Sequence, residues 1–486
     1  MTFSEILAVA SQCGGTGTIR IHTDSRLVQP GDIFVAIKGT TYNGHDFIDQ
    51  AIANGAKYII CQHEPQITSH GSRVTGHEII IVEDSEEAAA QLAQASWGNP
   101  ASKLINLAVT GTNGKTTVAF LVHSVIKNAG QKCGLIGTII YDTGSTVSEA
   151  TLTTPDCLTI AQSQAQMVSA GAKYMVIEAS SHSLAQNRLA AIDFRAAAFT
   201  NLAGDHLDYH KTETDYLAAK ARLFQTLSPN AVAVLNKQSP QAKQIASQTN
   251  AEILWYAVDA PADITAHIES MDATGTVFVL QYAGQTCIVK TSLAGRFNVS
   301  NHLAAAGLCL AAGFDIETIA AGLSALQTVP GRLEKLDYPP FVVFIDYAHS
   351  DDALKNVLST LKPLCKGRLI VVFGCGGDRD RTKRPRMAKV VEQLADSIVV
   401  TSDNPRTEQA EDIISEIVAG FENPDSDTIA IEPDRKKAIE LAIKTAGKND
   451  IVLISGKGHE TYQVIGTQKF DFSDKEIAWR YLKKRK

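Results

Sequence analysis

One stretch, NLAVTGTNGKTTVAFLVHSVI (106–126), limits the fold of this chain more than any other. Leu107 to Val109 is an apolar run that stops at Thr110. The loop Gly111-Thr112-Asn113-Gly114 follows, then Lys115, Thr116, Thr117 and a helical pattern. A buried strand, a glycine turn and a helix in that order make a phosphate-binding loop. Backbone N–H groups from Gly111 to Thr117 can ring an anion, and the helix aims its positive end at the same spot. Lys115 would reach the outer phosphates, and the Thr116 hydroxyl would ligate magnesium. The strict G-x-x-x-x-G-K-[ST] spacing is not met, because Val109 stands at its first glycine, so the loop is a variant. An ordinary strand–turn–helix junction is the bland alternative, and GKTT directly after an apolar strand weighs against it.

A loop of this kind belongs to an α/β fold, and the rest of the chain fits one. Its 486 residues suit two to four domains, and 44% hydrophobic residues are enough for full cores. A net charge of −7 favours neither nucleic acid nor a membrane surface as partner. The apolar runs are strand-sized, so no membrane insertion is expected. The start MTFSEILAVASQCGG has no basic region and does not read as a secretory signal. Eight scattered cysteines without a CxxC fit a reducing, cytoplasmic setting.

Three units are expected. Residues 1–98 form a small α/β unit, with DIFVAIKG and AKYIICQ as strands and HDFIDQAIANGA as a helix between them. The turn-rich WGNPASK marks the next boundary, and 99–330 alternates short apolar strands with helices, which predicts a parallel sheet covered on both faces. Pro330 and Gly331 open a third unit, 331–486, that reads as a Rossmann-like doubly wound domain. Its strand ends carry the unusual residues, where such sheets bind ligands.

Several of those strand ends could do chemistry. Glu178 ends the apolar strand KYMVIE and is a candidate metal ligand. Beyond it, Ser180, Ser181, His182, Gln186 and Arg188 suit a carboxylate or phosphate, and no G-x-S-x-G elbow favours a catalytic serine. Asp205, His206, Asp208 and His210 crowd one segment, but no third ligand pattern supports zinc. In the third unit, Asp346 and His349 follow one strand. Arg379, Arg381, Lys383, Arg384 and Arg386 follow another and read mostly as a solvated basic face. Asp403-Asn404-Pro405-Arg406 is a stiffened turn whose arginine could clamp a carboxylate, and ISGKGHE places Glu460 after a glycine turn.

Taken in order, these motifs resemble the Mur ligase family over essentially the whole chain. TDSRLVQPGD, TGTNGKTT, LTTPD, EASSHSLAQNRL, FTNLAGDHLDYH, YLAAKARLF, GRFNVSNHLAA, VPGRLE, DYAHSDDAL, GGDRDRTKRP, DNPRTE and GKGHE all occur in sequence. The resemblance implies a monomeric ligase using ATP and Mg2+. It would join meso-2,6-diaminopimelate to UDP-N-acetylmuramoyl-L-alanyl-D-glutamate through an acyl phosphate. It implies Thr23, Ser25, Thr40, Thr41 and Tyr42 at the uridine end, and Thr153, Thr154, Ser180, Gln186 and Arg188 at the muramoyl-dipeptide. Magnesium would meet Thr116, Glu178, His206 and Lys220, the last as a carbamylated lysine. Read alone, a helix lysine such as Lys220 is a surface charge. Asn298, Asn301, Arg332, Asp346 and His349 would border the nucleotide. Arg379, Asp403, Asn404, Pro405, Arg406, Gly456 and Glu460 would hold the amino acid. Lysine lacks a distal carboxylate and would leave Arg406 unpaired. Two departures from the family pattern, Ser183 for a frequent glycine and Asp351 for proline, touch no assigned role. The rivals are a folylpolyglutamate synthase-like ligase, a nucleotide switch that hydrolyses ATP without an amino acid, and an inactive nucleotide-sugar binder.

Overall fold

The computed structural model describes residues 1–12, 20–39, 42–65, 76–204 and 207–484, with the side chains of 12, 207 and 208 outside that description. Thr40, Thr41 and His206, all expected in the site, therefore lie outside the described residues.

Among the described residues there are three sheets with helices, plus one small hairpin. The first sheet has four parallel strands, Ile21–His22, Ile33–Val35, Tyr58–Cys61 and Glu78–Ile81. The segment between its second and third strands begins as a tight turn of 3-10 helix, Gly44–Phe47, and becomes α-helical only over Ile48–Ala53. Asn43 caps it by accepting from the His45 N–H.

The second sheet has eleven strands. Its middle strands are parallel and include Ile105–Thr110, Tyr174–Glu178 and Phe194–Phe199. Each is apolar over its middle because each is covered twice, with Asn106 and Arg195 near the strand starts and Thr110 and Glu178 at the tips. Leu107 and Val109 enter one core, while Ala108 enters the other. Val176 and its neighbours Met175 and Ile177 divide the same way.

The expected parallel sheet forms the middle, and antiparallel strands extend it at both edges. Ile264–Asp272, Gly275–Tyr282 and Gln285–Thr291 pair antiparallel on one side, and Cys133–Ile136, Ile140–Asp142 and Val147–Glu149 do so on the other. The cause is local. Ala283 (φ 49°) and Gly284 (φ 79°) make a two-residue turn with both φ positive, which returns a strand beside its predecessor. From Gly275 to Leu280 the strand accordingly alternates half-buried and buried residues, as a strand with one covered face must.

The third sheet runs Glu334–Tyr338, Phe341–Asp346, Ile451–Ser455, Leu369–Phe373, Ser397–Val400, Ile429–Ile431, parallel except for its first strand. Leu369, Val371 and Phe373 face one core, Ile370 and Val372 the other. The hairpin Tyr462–Ile465/Gln468–Asp471 stands beside its carboxyl end. Among the described residues no helix is long and apolar enough to cross a membrane, and the cysteines from Cys61 to Cys375 are free thiols.

Candidate functional site: a cleft between two sheets

The phosphate loop lies between the strand Ile105–Thr110 and the helix Lys115–Asn128. Gly111 (φ 141°) and Gly114 (φ 93°) take backbone conformations open to glycine. A Cβ at Gly111 would collide with the Thr200 hydroxyl, and one at Gly114 with the Asn301 amide. The loop is moulded from below by residues the sequence reading did not single out. Thr200 Oγ1 donates to the Asn113 carbonyl at 2.6 Å, and Asn201 accepts from Asn113 N–H at 3.0 Å and donates to its carbonyl at 3.1 Å. The Thr112 hydroxyl meets the Tyr216 hydroxyl at 3.2 Å. Lys115 Nζ sits in the loop, donating to the carbonyls of Gly111 and Thr112.

Glu178 is fully buried at the tip of the neighbouring strand. Its Oε2 accepts from the hydroxyls of Thr116 and Thr138, both at 2.9 Å, and its Oε1 accepts from Thr138 N–H at 2.8 Å. Lys220 is 1% exposed, which overturns the surface reading of a helix lysine. Thr212 caps the helix Glu213–Gln225 and fixes its rotation. Lys220 thereby lies over Tyr216, one turn earlier, with Nζ 4.3 Å from the ring centre and 2.9 Å from the Gly111 carbonyl. Hydroxyl and carboxylate oxygens are donors of the hard type that Mg2+ takes. Among the described residues no three of His, Cys, Asp and Glu gather as a metal nest.

The residues expected at the muramoyl-dipeptide form one connected network. Thr153 Oγ1 lies 3.1 Å from Thr138 Oγ1, and Thr154 donates to the Glu178 carbonyl with its oxygen 3.1 Å from Ser180 Oγ. Arg188 donates to the Thr154 carbonyl and, through two nitrogens, to Gln186 Oε1. Ser183 uses its hydroxyl and N–H on Ser180, closing the short helix there. At the expected uridine end Ser25 is buried and donates to Gln50, Thr23 is half-buried and Tyr42 is 72% exposed. Asn187 Nδ2 to Asp84 Oδ2, 2.7 Å, ties this first unit to the dipeptide network.

The third unit reaches the same loop. Arg332 Nη2 donates to Thr116 Oγ1 at 3.3 Å and its guanidinium lies 4.5 Å from the Tyr347 ring centre. Asp346 fixes that turn by accepting from Leu333 and Ala348 N–H groups, and burial raises its carboxyl above the usual range against the pull of Arg332. Asn298 and Asn301 are buried and hydrogen-bonded to each other at 3.2 Å, whereas His349 is exposed and within 3.1 Å of the Tyr347 carbonyl. Asp351 takes the first position of the helix Asp351–Leu361, where an acidic residue suits the helix dipole, and pairs with Arg386.

Asp403, Asn404 and Pro405 are buried at the end of the strand Ser397–Val400, and Arg406 follows with φ 53°. Arg406 Nη1 donates to the Gly377 carbonyl at 2.6 Å. The hairpin grips this turn: Arg406 N–H donates to the Val464 carbonyl, and Gln463 donates to the Asp403 carbonyl. Gly456 (φ 117°) lets Asp403 come so close that a Cβ would strike its carboxylate. Arg379 is exposed at the rim.

The basic run after Phe373 is corrected at one residue. Arg384 is fully buried, its guanidinium forked onto Glu408 at 2.8 and 2.9 Å and onto Glu416 at 2.8 Å. Arg384 holds the Glu408 carboxyl down at about 2. Arg435 is likewise buried, forked onto Asp474 and donating to the carbonyls of Ser402 and Ser455. Lys457 is fully buried between Asn404 and Glu460. No local sequence signal marks Arg384 and Arg435, because their carboxylates are far along the chain, and Lys457 adds to the nearby Glu460 a distant amide partner, Asn404.

Three family models match this chain: the Mur ligase family catalytic domain over residues 20–97, the Mur ligase middle domain over 109–309, and the Mur ligase glutamate ligase domain over 331–458. A UDP-N-acetylmuramoyl-L-alanyl-D-glutamate–2,6-diaminopimelate ligase of Geobacillus thermodenitrificans is 41% identical over 480 residues, covering 97% of this chain and 96% of the relative. One of the same name from Gloeobacter violaceus is 42% identical, covering 96% and 94%. A solved structure of a protein with that name superposes with a TM-score of 0.69 at 33% identity, covering 96% of this chain and 95% of the other. The chain belongs to the Mur ligase family.

Proposed function

We propose that this chain is an ATP-dependent amide ligase. It joins meso-2,6-diaminopimelate to the D-glutamate carboxylate of UDP-N-acetylmuramoyl-L-alanyl-D-glutamate, a step of peptidoglycan precursor synthesis. One observation supports this most. Arg332, in the turn that leads into the first strand of the third sheet, donates to Thr116 of the phosphate loop, which brings the unit carrying the Asp403–Arg406 turn against that loop.

The phosphate loop would hold the ATP phosphates by its N–H groups, with Lys115 on the outer ones. Thr116, Glu178 and Lys220 would hold Mg2+ together with His206. Bound there, the ion would screen the charge of the triphosphate. Carbamylation suits Lys220: CO2 adds to the neutral amine, a proton leaves, and a cation becomes a carboxylate-like oxygen donor. The network of Thr153, Thr154, Ser180, Gln186 and Arg188 would present the free D-glutamate carboxylate to the γ-phosphorus. An oxygen of that carboxylate attacks, the bond to ADP breaks, and an acyl phosphate forms. The deprotonated amine of the amino acid attacks the acyl carbon, and phosphate departs with the C–O bonding pair. The side chains contribute position, charge and exclusion of water from the acyl phosphate.

Arg406 and Arg379 would face the distal carboxylate of diaminopimelate, while Glu460 and the Gly456 turn would face its distal ammonium. Thr23, Ser25 and Tyr42 would hold the uridine end. The test is the product. With ATP and Mg2+, mass spectrometry should find the UDP substrate plus diaminopimelate less one water, with one ADP per product. ADP formed without that product would contradict the reading.

A further inference from the structure

Lys457 has no place in the mechanism above, yet it is one of the largest side chains fully removed from solvent. It lies in the turn after the strand Ile451–Ser455. Its Nζ donates to Asn404 Oδ1 at 2.9 Å and to Glu460 Oε2 at 3.0 Å, and stands 4.0 Å from Asp403 Oδ1. Asn404 Oδ1 also accepts from Val464 N–H at 2.9 Å. With two donors on one side, the amide of Asn404 has a single acceptable orientation, since a flip would set its NH2 against an ammonium and an N–H. In that orientation Nδ2 donates to Glu460 Oε2 at 3.0 Å. Oε2 is thus occupied by two donors, and Oε1 is the oxygen left for a ligand. A buried ammonium with such partners is costly unless every one is in place, so the arrangement is fixed before any substrate arrives.

The charges give the arrangement a purpose. Lys457 balances only one of the two carboxylates, Asp403 and Glu460, that stand beside it. The buried Arg435–Asp474 pair beneath them is neutral as a pair. One negative charge is left over at this turn, beside the positive Arg406, which is the complement of a zwitterion.

We infer that Lys457 is a specificity-determining positioning residue. By fixing Asn404 and orienting Glu460, it makes the cleft select an amino acid whose distal end carries an ammonium as well as a carboxylate. This rests on the ligase reading above.

The test compares kcat/KM for meso-diaminopimelate with that for 2-aminopimelate, which keeps the distal carboxylate and lacks the distal ammonium. The wild type should favour diaminopimelate by roughly 30-fold or more, the worth of a hydrogen bond to a charged group. In Lys457→Met that preference should fall at least about tenfold, carried by KM for diaminopimelate, with KM for ATP within about twofold of wild type. A merely structural lysine would lower both substrates' turnover equally and leave the preference intact, which would overturn the inference. The double variant Lys457→Met/Glu460→Gln removes one charge of each sign, so the net charge of the turn is unchanged, and it covers the case in which the single variant does not fold. Its KM for diaminopimelate should match that of Glu460→Gln within about threefold, and a further loss of about tenfold would overturn the inference. No diaminopimelate-dependent turnover in the wild type would overturn the ligase reading itself, and this inference with it.

Discussion

The two ends of the cleft are built from different materials. At the proposed nucleotide end the phosphate itself would meet mainly backbone N–H groups, in a glycine loop shaped by Thr200 and Asn201 and flanked by Lys115, Thr116 and Lys220. At the proposed amino-acid end the working groups are side chains, Asp403, Asn404, Arg406 and Glu460, with Lys457 holding Asn404 and Glu460 and the Gly377 carbonyl holding Arg406. Backbone N–H groups recognise phosphate wherever it comes from, so that end is suited to a common fuel. An arrangement of fixed charges recognises one spacing of ammonium and carboxylate, so that end is suited to discrimination.

Breaking the nucleotide end should therefore cost most and be indifferent to the amino acid. Lys115→Ala is expected to lower ligation by on the order of 10³-fold with any amino acid, as loss of a group acting on developing charge does. Steady-state kinetics with ADP as the readout would check it. At the other end, Arg406→Ala should raise KM for diaminopimelate by roughly 10- to 100-fold, as removal of a charged hydrogen-bond partner does. ATP binding, followed by calorimetry, should be unchanged. Equal losses for diaminopimelate and lysine in that variant would blur the distinction between the two ends.

The buried cations make a smaller prediction about stability. Arg384→Met should destabilise by about 2 kcal/mol, because Glu408 and Glu416 keep some access to water once unpaired. Denaturant unfolding would measure it. Glu408 also gives a pH window. Its carboxyl lies at about 2 beside Arg384, against 4.5 when free. Its contribution is complete above about 4.5 and is lost as pH falls towards 2. Wild type should lose stability across that window more steeply than Arg384→Met.

The smallest effect concerns His459, which burial beside Arg332 lowers to about 4 from 6.5. It contributes fully above 6.5, where both states leave it neutral, and less as pH falls towards 4. His459→Gln should flatten the melting-temperature profile between those values.

How much was legible in the sequence follows the same division. The phosphate loop is contiguous and its residues do local jobs, so GTNGKTT announces itself. The apolar strands were legible because double coverage leaves few polar positions in them, and those near the ends. The antiparallel edges were not, since a turn at Ala283-Gly284 carries little signal beside the many α/β alternations. Lys220 and Arg384 looked like surface charges because burial is decided by what lies above them in space. Resemblance to a family rescued the first and not the second. Lys457 went unremarked in GKGHE because its partner Asn404 stands far back along the chain. Cations that organise a site through distant partners have no spacing to read.

The most direct test of the account is phosphate release with ATP, Mg2+ and UDP-N-acetylmuramoyl-L-alanyl-D-glutamate, run with meso-diaminopimelate, with L-lysine and with neither. Release is expected with diaminopimelate, and little with lysine or with no amino acid. Equal release with lysine would remove the argument from Arg406, and release with neither would contradict the ligase.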